Sequence, residues 1–103
     1  MREEIDLQRI EPAFHAPARV AILAMLVEGD EVEFVLMAKR LGLTNGNLAS
    51  HLRKLEEAGY IRCLKTFIGR RPNTTYRILP KGLAAFERYV VELEKIIGAA
   101  RKR

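Results

Sequence analysis

The chain has 103 residues, of which 49% are hydrophobic and 30% are charged, a composition typical of a single folded domain and unlike that of a disordered protein. No apolar run approaches the length of a membrane span, and the charged N-terminus lacks the apolar core of a signal peptide. Because Cys63 is the single cysteine, the chain can form no intramolecular disulfide, and we expect a protein of the reducing cytoplasm.

The net charge of +5 is concentrated in the middle of the chain. Residues 1–43 carry five Lys or Arg against eight Asp or Glu, a net of −3. Residues 44–82 carry eight against two, a net of +6, and residues 83–103 carry five against three, a net of +2. The basic middle is therefore the candidate for binding nucleic acid, although such charge also serves solubility.

The N-terminal part of the chain predicts two helices joined by an irregular link. Residues 3–11 can form a short helix, and Pro12 and Pro17 bracket the link that follows. Proline is tolerated in the first turn of a helix, so Pro17 can open a second helix over residues 17–28. The apolar residues expected on its core face are Val20, Ile22, Leu23, Ala24, Leu26 and Val27.

A helix-turn-helix is predicted over about residues 35–58. Residues 31–34 alternate polar and apolar side chains, which indicates a very short strand just before it. The first helix of the motif covers residues 35–41, and Gly42 makes the turn. The residues of this helix expected to face inward are Leu36, Ala38 and Leu41.

The second helix of the motif covers residues 44–58. Thr44 can cap it by accepting a hydrogen bond from the first turn, and Gly59 can end it. One narrow apolar stripe is formed by Leu48, Leu52 and Leu55. The opposite side carries Asn47, Ser50, Arg53, Lys54 and Glu57. This pattern is typical of a helix that reads the major groove, although an ordinary surface helix can show it too.

A basic β-hairpin, or wing, is predicted over about residues 60–79. Residues 60–68 are rich in aromatic and β-branched side chains, which favours a strand. Residues 69–74 read as a loop because Gly, Pro and Asn cluster there, and residues 75–79 read as the returning strand.

A last helix is predicted over about residues 80–101, with Pro80 in its first turn. Its apolar residues recur in a heptad pattern, and two more widen that stripe: Leu83, Phe86, Val90, Leu93, Ile97 and Ala100, with Tyr89 and Ile96. A domain this small has no core deep enough to cover the whole stripe, which favours a homodimer formed through this helix, with the N-terminal helix as a further candidate participant. The alternative is a helix that packs back on its own domain.

This order of elements resembles the winged helix-turn-helix transcription regulators of the broad MarR/ArsR-like group. The matching segments are residues 17–23, 41–48, 51–61 and 69–76, and the Leu-x-x-Leu-Glu-x-x-Gly ending of the second helix lies within them. The resemblance implies a fold that is mainly α with a small β-hairpin (α+β), in one domain over residues 1–103. It also implies a recognition helix, a DNA-contacting wing and a long C-terminal dimerisation helix.

The candidate DNA-binding residues are Thr44, Asn45, Asn47, Ser50, His51, Arg53, Lys54, Lys65, Arg70, Arg71 and Arg77. The asparagines and the serine lie where the start of a recognition helix meets base edges, and Asn can bond adenine at two positions. The cations further along the helix are expected to hold phosphates, and those of the wing to hold phosphates or a narrow minor groove. For His51, a phosphate contact and a structural role are both open.

No cofactor or metal site is predicted, and whether a small-molecule effector binds stays open. Cys63 with His15 and His51 makes no recognisable metal spacing, and redox sensing by Cys63 would need surroundings that lower the thiol pKa. No phosphate-binding glycine loop and no nucleophile–base spacing appears, so we expect no enzyme.

The sequence thus predicts a homodimeric, sequence-specific regulator that binds double-stranded DNA. The alternative is a winged helix that serves as a protein–protein interaction module, since the same fold is used for both.

Overall fold

The structure is a computed structural model that describes residues 4–101. The helices are α1 (Pro17–Gly29), α2 (Phe34–Leu41), α3 (Asn45–Glu57) and α4 (Pro80–Arg101). The strands are β1 (Val32–Glu33), β2 (Ile61–Ile68) and β3 (Arg71–Ile78), and they form one antiparallel sheet in the order β1-β3-β2. Short 3-10 helices cover Leu7–Arg9 and Pro12–His15. The predicted class, mainly α with a small sheet, is confirmed.

The helix predicted over residues 3–11 is wrong for the residues that the structure describes. Only Leu7–Arg9 is helical, as one 3-10 turn that Asp6 caps by accepting from the Gln8 N–H at 3.0 Å. The link that was predicted to be irregular contains the second 3-10 helix. Phe14 in that helix is buried, so the N-terminal segment belongs to the core.

The N-terminal segment docks on α4 of its own chain through a buried carboxylate. Glu92 is inaccessible to solvent, and its Oε2 accepts from the Asp6 N–H at 3.2 Å. Its Oε1 accepts from the Lys95 ammonium at 3.4 Å. A buried carboxylate is tolerated only when such donors meet it, and the bond from Asp6 ties the segment to the helix.

The bounds predicted for α1 agree with the structure, but its predicted core face is partly wrong. Ala24 and Val27 are exposed, and Met25 is buried instead. The helix is apolar on nearly every side, so periodicity could not select a face. The neighbouring elements select the buried face, because α1 packs against α2, α3 and α4 and against the strands β1 and β3.

The helix-turn-helix forms as predicted, with a different inward face on its first helix. The short strand is confirmed as β1, and α2 begins one residue earlier than expected, at Phe34. Met37 is buried and Leu36 is 46% exposed. The stripe that meets the core consists of Phe34, Met37, Ala38 and Leu41, which are spaced i, i+3, i+4, i+7.

The wing is a tight hairpin, and the loop predicted over residues 69–74 is wrong. Ile68 pairs with Arg71, so only Gly69 and Arg70 form the turn. Gly69 has a φ of 63°, which a two-residue hairpin turn requires at its first central position. Pro72 pairs opposite Phe67 and lies beyond the two-residue strand β1, where β3 has a neighbour on one side only. Proline is tolerated in a strand at such an edge.

The helix α4 begins against the sheet with a very close approach. A Cβ atom at Gly82 would overlap the backbone of Tyr60, so only glycine fits there. Further along α4, Phe86 and Tyr89 pack around Phe14, with the Phe14 and Tyr89 ring centroids 4.8 Å apart. These two residues were predicted to lie in a dimer interface. Both are partly buried and pack against the core of their own chain, and their part in a dimer interface stays a prediction.

The remaining heptad residues lie on a second apolar side of α4. Gly82, Ala85, Tyr89 and Glu92 face the core, whereas Leu83, Val90, Leu93 and Ile97, here called the α4 stripe, lie about 100° around the helix. Leu83 and Ile97 are 37% and 39% exposed. The helix of 22 residues is about 33 Å long, so the core cannot cover both sides.

Candidate nucleic-acid interface

The recognition helix α3 is fixed to the domain by one edge. Leu48, Leu52 and Leu55 are all buried, as their spacing predicted. At its start, the Thr44 hydroxyl accepts a hydrogen bond from the Asn47 N–H at 3.1 Å. Thr44 is therefore an N-cap, which fixes where the helix begins and holds its first turn in place.

The outer side of α3 presents the polar residues that were predicted to contact DNA. The exposed residues among them are Thr44, Asn45, Asn47, Ser50, Arg53 and Lys54. The first turn contains no acidic side chain, so the partial positive charge of the helix start is not neutralised there. Short donors and acceptors at such a helix end, followed by cations, can bond base edges and phosphates.

The wing adds three exposed cations, Lys65, Arg70 and Arg71. Among the residues that the structure describes, the side chains of these three and of the helix cations Arg53 and Lys54 make no hydrogen bond or ion pair. The wing strand β2 packs against α3, so helix and wing form adjoining parts of one structure. The unpaired cations of the helix and of the wing can each donate hydrogen bonds to a phosphate.

Arg77 differs from the other predicted cations because it already has a partner. Its guanidinium lies 3.4 Å from the Glu31 carboxylate, and both side chains are exposed. An exposed ion pair contributes only about 0–1 kcal/mol, so a DNA phosphate can replace it. Its contact with DNA stays a prediction.

His51 contacts Arg19, a residue that no sequence pattern singled out. Arg19 Nη1 lies 3.3 Å from His51 Nδ1, and Arg19 Nε donates to the Ala13 carbonyl at 2.7 Å. A guanidinium can only donate, so Nδ1 is the acceptor and the imidazole proton is on Nε2. Burial, and then the charges of Arg19 and Lys54, lower the pKa of His51 below its ordinary value of 6.5. The contact with Arg19 gives His51 a structural role, and the N–H at Nε2 can still donate a hydrogen bond to a phosphate.

Cys63 is partly buried and faces Tyr76 across the wing. Burial first, and then the neighbouring thiol, raise the pKa of Tyr76. Within residues 4–101, no three His, Cys, Asp or Glu side chains lie close enough together to hold a metal ion. Over the same residues, no helix combines the length and the apolarity needed to cross a membrane.

Comparison with known proteins identifies the family of this architecture. A family model described as a winged helix DNA-binding domain matches residues 18–97. The chain therefore belongs to the winged helix DNA-binding domain family. It is also 41% identical over 80 residues to an uncharacterised protein of Methanocaldococcus jannaschii, in a match that covers 78% of this chain and 87% of that one.

Solved structures agree with this assignment. A transcriptional regulator homologue from Pyrococcus horikoshii is similar with a TM-score of 0.81 and 30% identity, over 90% of this chain and 93% of that chain. A regulator of the MarR family from Enterococcus faecalis is similar with a TM-score of 0.78 and 19% identity, over 87% and 81% of the two chains. The predicted class, a DNA-binding regulator of transcription rather than an enzyme, is confirmed by the family and its neighbours.

Proposed function

We propose that the chain is a homodimeric regulator that binds double-stranded DNA at specific sequences, as one domain that works in the cytoplasm. The recognition helix α3 enters the major groove, and the wing contacts the backbone or the minor groove beside it. The observation that carries this proposal is the division of α3 into a buried leucine edge and an outer side of unpaired polar groups. The charge of the adjoining wing supports it.

The start of α3 reads bases in this proposal. The N-terminal residues of a recognition helix are those that reach base edges. Asn45 and Asn47 are exposed there and can bond adenine N6 and N7 together, while Ser50 one turn on can donate or accept. These contacts would supply the sequence preference, since phosphate contacts carry none directly.

The cations hold the phosphate backbone. Arg53 and Lys54 lie further along α3 and are exposed, so they reach the strands that border the groove. Arg70 at the wing turn and Arg71 beside it carry unpaired guanidinium groups. Arginine suits this task because its planar fork matches phosphate oxygens.

The α4 stripe supports the homodimer. Leu83 and Ile97 are more than one third exposed, and Val90 and Leu93 are only half-buried between them. A second copy that covers the stripe would remove this surface from water. A two-fold dimer presents two recognition helices to successive major grooves about 34 Å apart, so the operator should be a pseudo-palindrome.

The sequence specificity is tested by selecting bound duplexes from a random pool and comparing two variants. Asn47→Ala should relax the preference at one base pair of each half-site and cost about 1–3 kcal/mol on the best duplex. Lys54→Ala is the matched control from the same helix. It should weaken binding to all duplexes about equally, because it removes a phosphate contact.

Two results would contradict the proposal. If Asn47→Ala leaves the selected sequence unchanged, Asn47 does not read a base. If the unaltered protein enriches no sequence and shows no affinity for duplex DNA, the winged helix serves as a protein-interaction module instead.

A further inference from the structure

The wing tip, residues 67–72, exposes two large apolar side chains in succession. Phe67 is 71% exposed and Ile68 is 63% exposed. Isolated apolar residues are ordinary on a protein surface, but two large ones in succession at the end of a hairpin make an apolar tip, here called the patch. In the part of the chain that the structure describes, neither side chain belongs to the core or packs against it.

The two side chains lie on opposite faces of the hairpin. Successive residues of a strand point to opposite faces, and Phe67 pairs with Pro72 whereas Ile68 pairs with Arg71. Phe67 and Pro72 therefore make one face of the tip apolar, whereas Ile68 shares the other face with Arg71. Arg70 lies in the turn that joins Ile68 to Arg71.

The tip projects far enough to reach the floor of a groove. Leu64 is the last half-buried residue of β2, and residues 65–68 beyond it are exposed. Four residues of strand extend about 13 Å. The minor groove is about 6 Å wide and 7.5 Å deep, so a two-stranded hairpin can enter it only tip first and must open it.

The charge around the patch favours DNA as its occupant. Lys65, Arg70 and Arg71 surround the apolar pair, and residues 58–86 contain no Asp or Glu. The duplex has phosphates outside and stacked apolar base faces inside. An apolar tip between cations is complementary to that arrangement.

We propose that Phe67 and Ile68 form a wedge that enters the minor groove, parts two stacked base pairs and bends the operator. This inference rests on the proposed DNA-binding function and adds a distortion that binding alone does not require. Apolar side chains inserted in this way kink a duplex by about 20–90°. Pyrimidine–purine steps open most easily, so such a step is expected beneath each wing and adds specificity without a base hydrogen bond.

The test uses a duplex of about 30 base pairs recovered by selection. Energy transfer between dyes on its two ends reports bending, 2-aminopurine at the step beneath the wing reports unstacking, and anisotropy reports binding. We expect the unaltered protein to shorten the end-to-end distance and to raise the 2-aminopurine fluorescence. Phe67→Ser with Ile68→Ser should abolish both signals and leave the salt dependence of affinity unchanged, because the phosphate contacts remain.

Two further variants make the result specific. Phe67→Leu keeps an apolar wedge and should keep the bend. Val35→Ser is the matched control, since Val35 is 70% exposed but lies on α2, and it should also keep the bend. Circular dichroism checks that each variant is folded.

Several outcomes would overturn the wedge. The duplex could stay straight when the protein binds, or the bend could survive the double serine substitution. The double substitution could also change the sedimentation coefficient of the protein, which would show that the patch contacts a second copy. If the anisotropy shows no binding by the unaltered protein, the proposed function fails at that earlier step, and the wedge fails with it.

Discussion

Arg19 holds together three parts of the domain that are distant in the sequence. It joins the carbonyl of Ala13 in the N-terminal segment to His51 on the recognition helix, and it belongs to α1 itself. The contact requires a neutral imidazole, because a protonated Nδ1 would point its N–H at the guanidinium. The position of α3 is thereby linked to the protonation state of one histidine.

We expect the free energy of unfolding to fall as the pH drops below about 6.5. The folded state lowers the pKa of His51. In this range the imidazole therefore binds a proton more readily in the unfolded chain than in the folded one, so protonation favours unfolding. His51→Gln removes this contribution and should flatten the pH dependence between about pH 5 and 7 in urea titrations. His15 is exposed and is the only other histidine. If His15→Gln flattens the dependence instead, the assignment to His51 is wrong.

The sequence predicts single residues well where they lie on an amphipathic helix. Leu48, Leu52 and Leu55 are buried as expected because polar residues surround their stripe. The same reasoning failed for Val27, since α1 is apolar on nearly every side and periodicity selects no face. Gly82 was missed for a different reason: the backbone that excludes a side chain there is 22 residues away in the sequence.

At the scale of elements, the order of helices and strands was predictable but the length of the wing was not. Gly, Pro and Asn between residues 69 and 73 suggested a loop, yet Pro72 and Asn73 lie in β3. Cross-strand pairing decides this, and a turn of only two residues leaves the ladder intact. The longer strand β3 pairs with Phe67 and Ile68 and so brings them to the tip, on which the proposed wedge depends.

The helix α4 shows how one element can serve two purposes. Its heptad pattern was interpreted as a single dimer stripe, but Phe86 and Tyr89 also pack against the core of their own chain. The pattern combines two apolar sides, and sequence spacing alone does not separate them. The α4 stripe remains available to a second copy, and so does Ile96, which is 37% exposed.

Ile97→Glu tests the α4 stripe. The charge would be buried in the dimer, so we expect monomers in sedimentation velocity and weaker operator binding. Ala99→Glu is the matched control, because it places the same charge about 200° around the same turn of the helix. It should stay dimeric. A dimeric Ile97→Glu protein, or a monomeric Ala99→Glu protein, would show that the interface lies elsewhere.

At the scale of the whole molecule, charge and element order together predicted the class of protein. The +6 over residues 44–82 coincides with α3 and the wing, and the acidic N-terminal residues lie outside both. The family match over residues 18–97 covers the same elements. The docking of the N-terminal segment could not be predicted, since it depends on Phe14 and Glu92 meeting partners far along the chain.

The central claim is that the recognition helix and the basic wing bind duplex DNA through its phosphates. The most direct test is the salt dependence of affinity for a selected duplex. The logarithm of the association constant should fall with the logarithm of salt concentration by about 0.9 per phosphate contact. Arg70→Ala with Arg71→Ala should make the slope shallower, by about 0.9 for each wing arginine of the dimer that holds a phosphate.

Arg88→Glu on α4 is the matched control, because it lowers the net charge of the chain by two, as the double substitution does, but at a site outside the wing. It should leave the slope as it is in the unaltered protein. A flat salt dependence of the unaltered protein, or an unchanged slope after the wing substitution, would contradict the account.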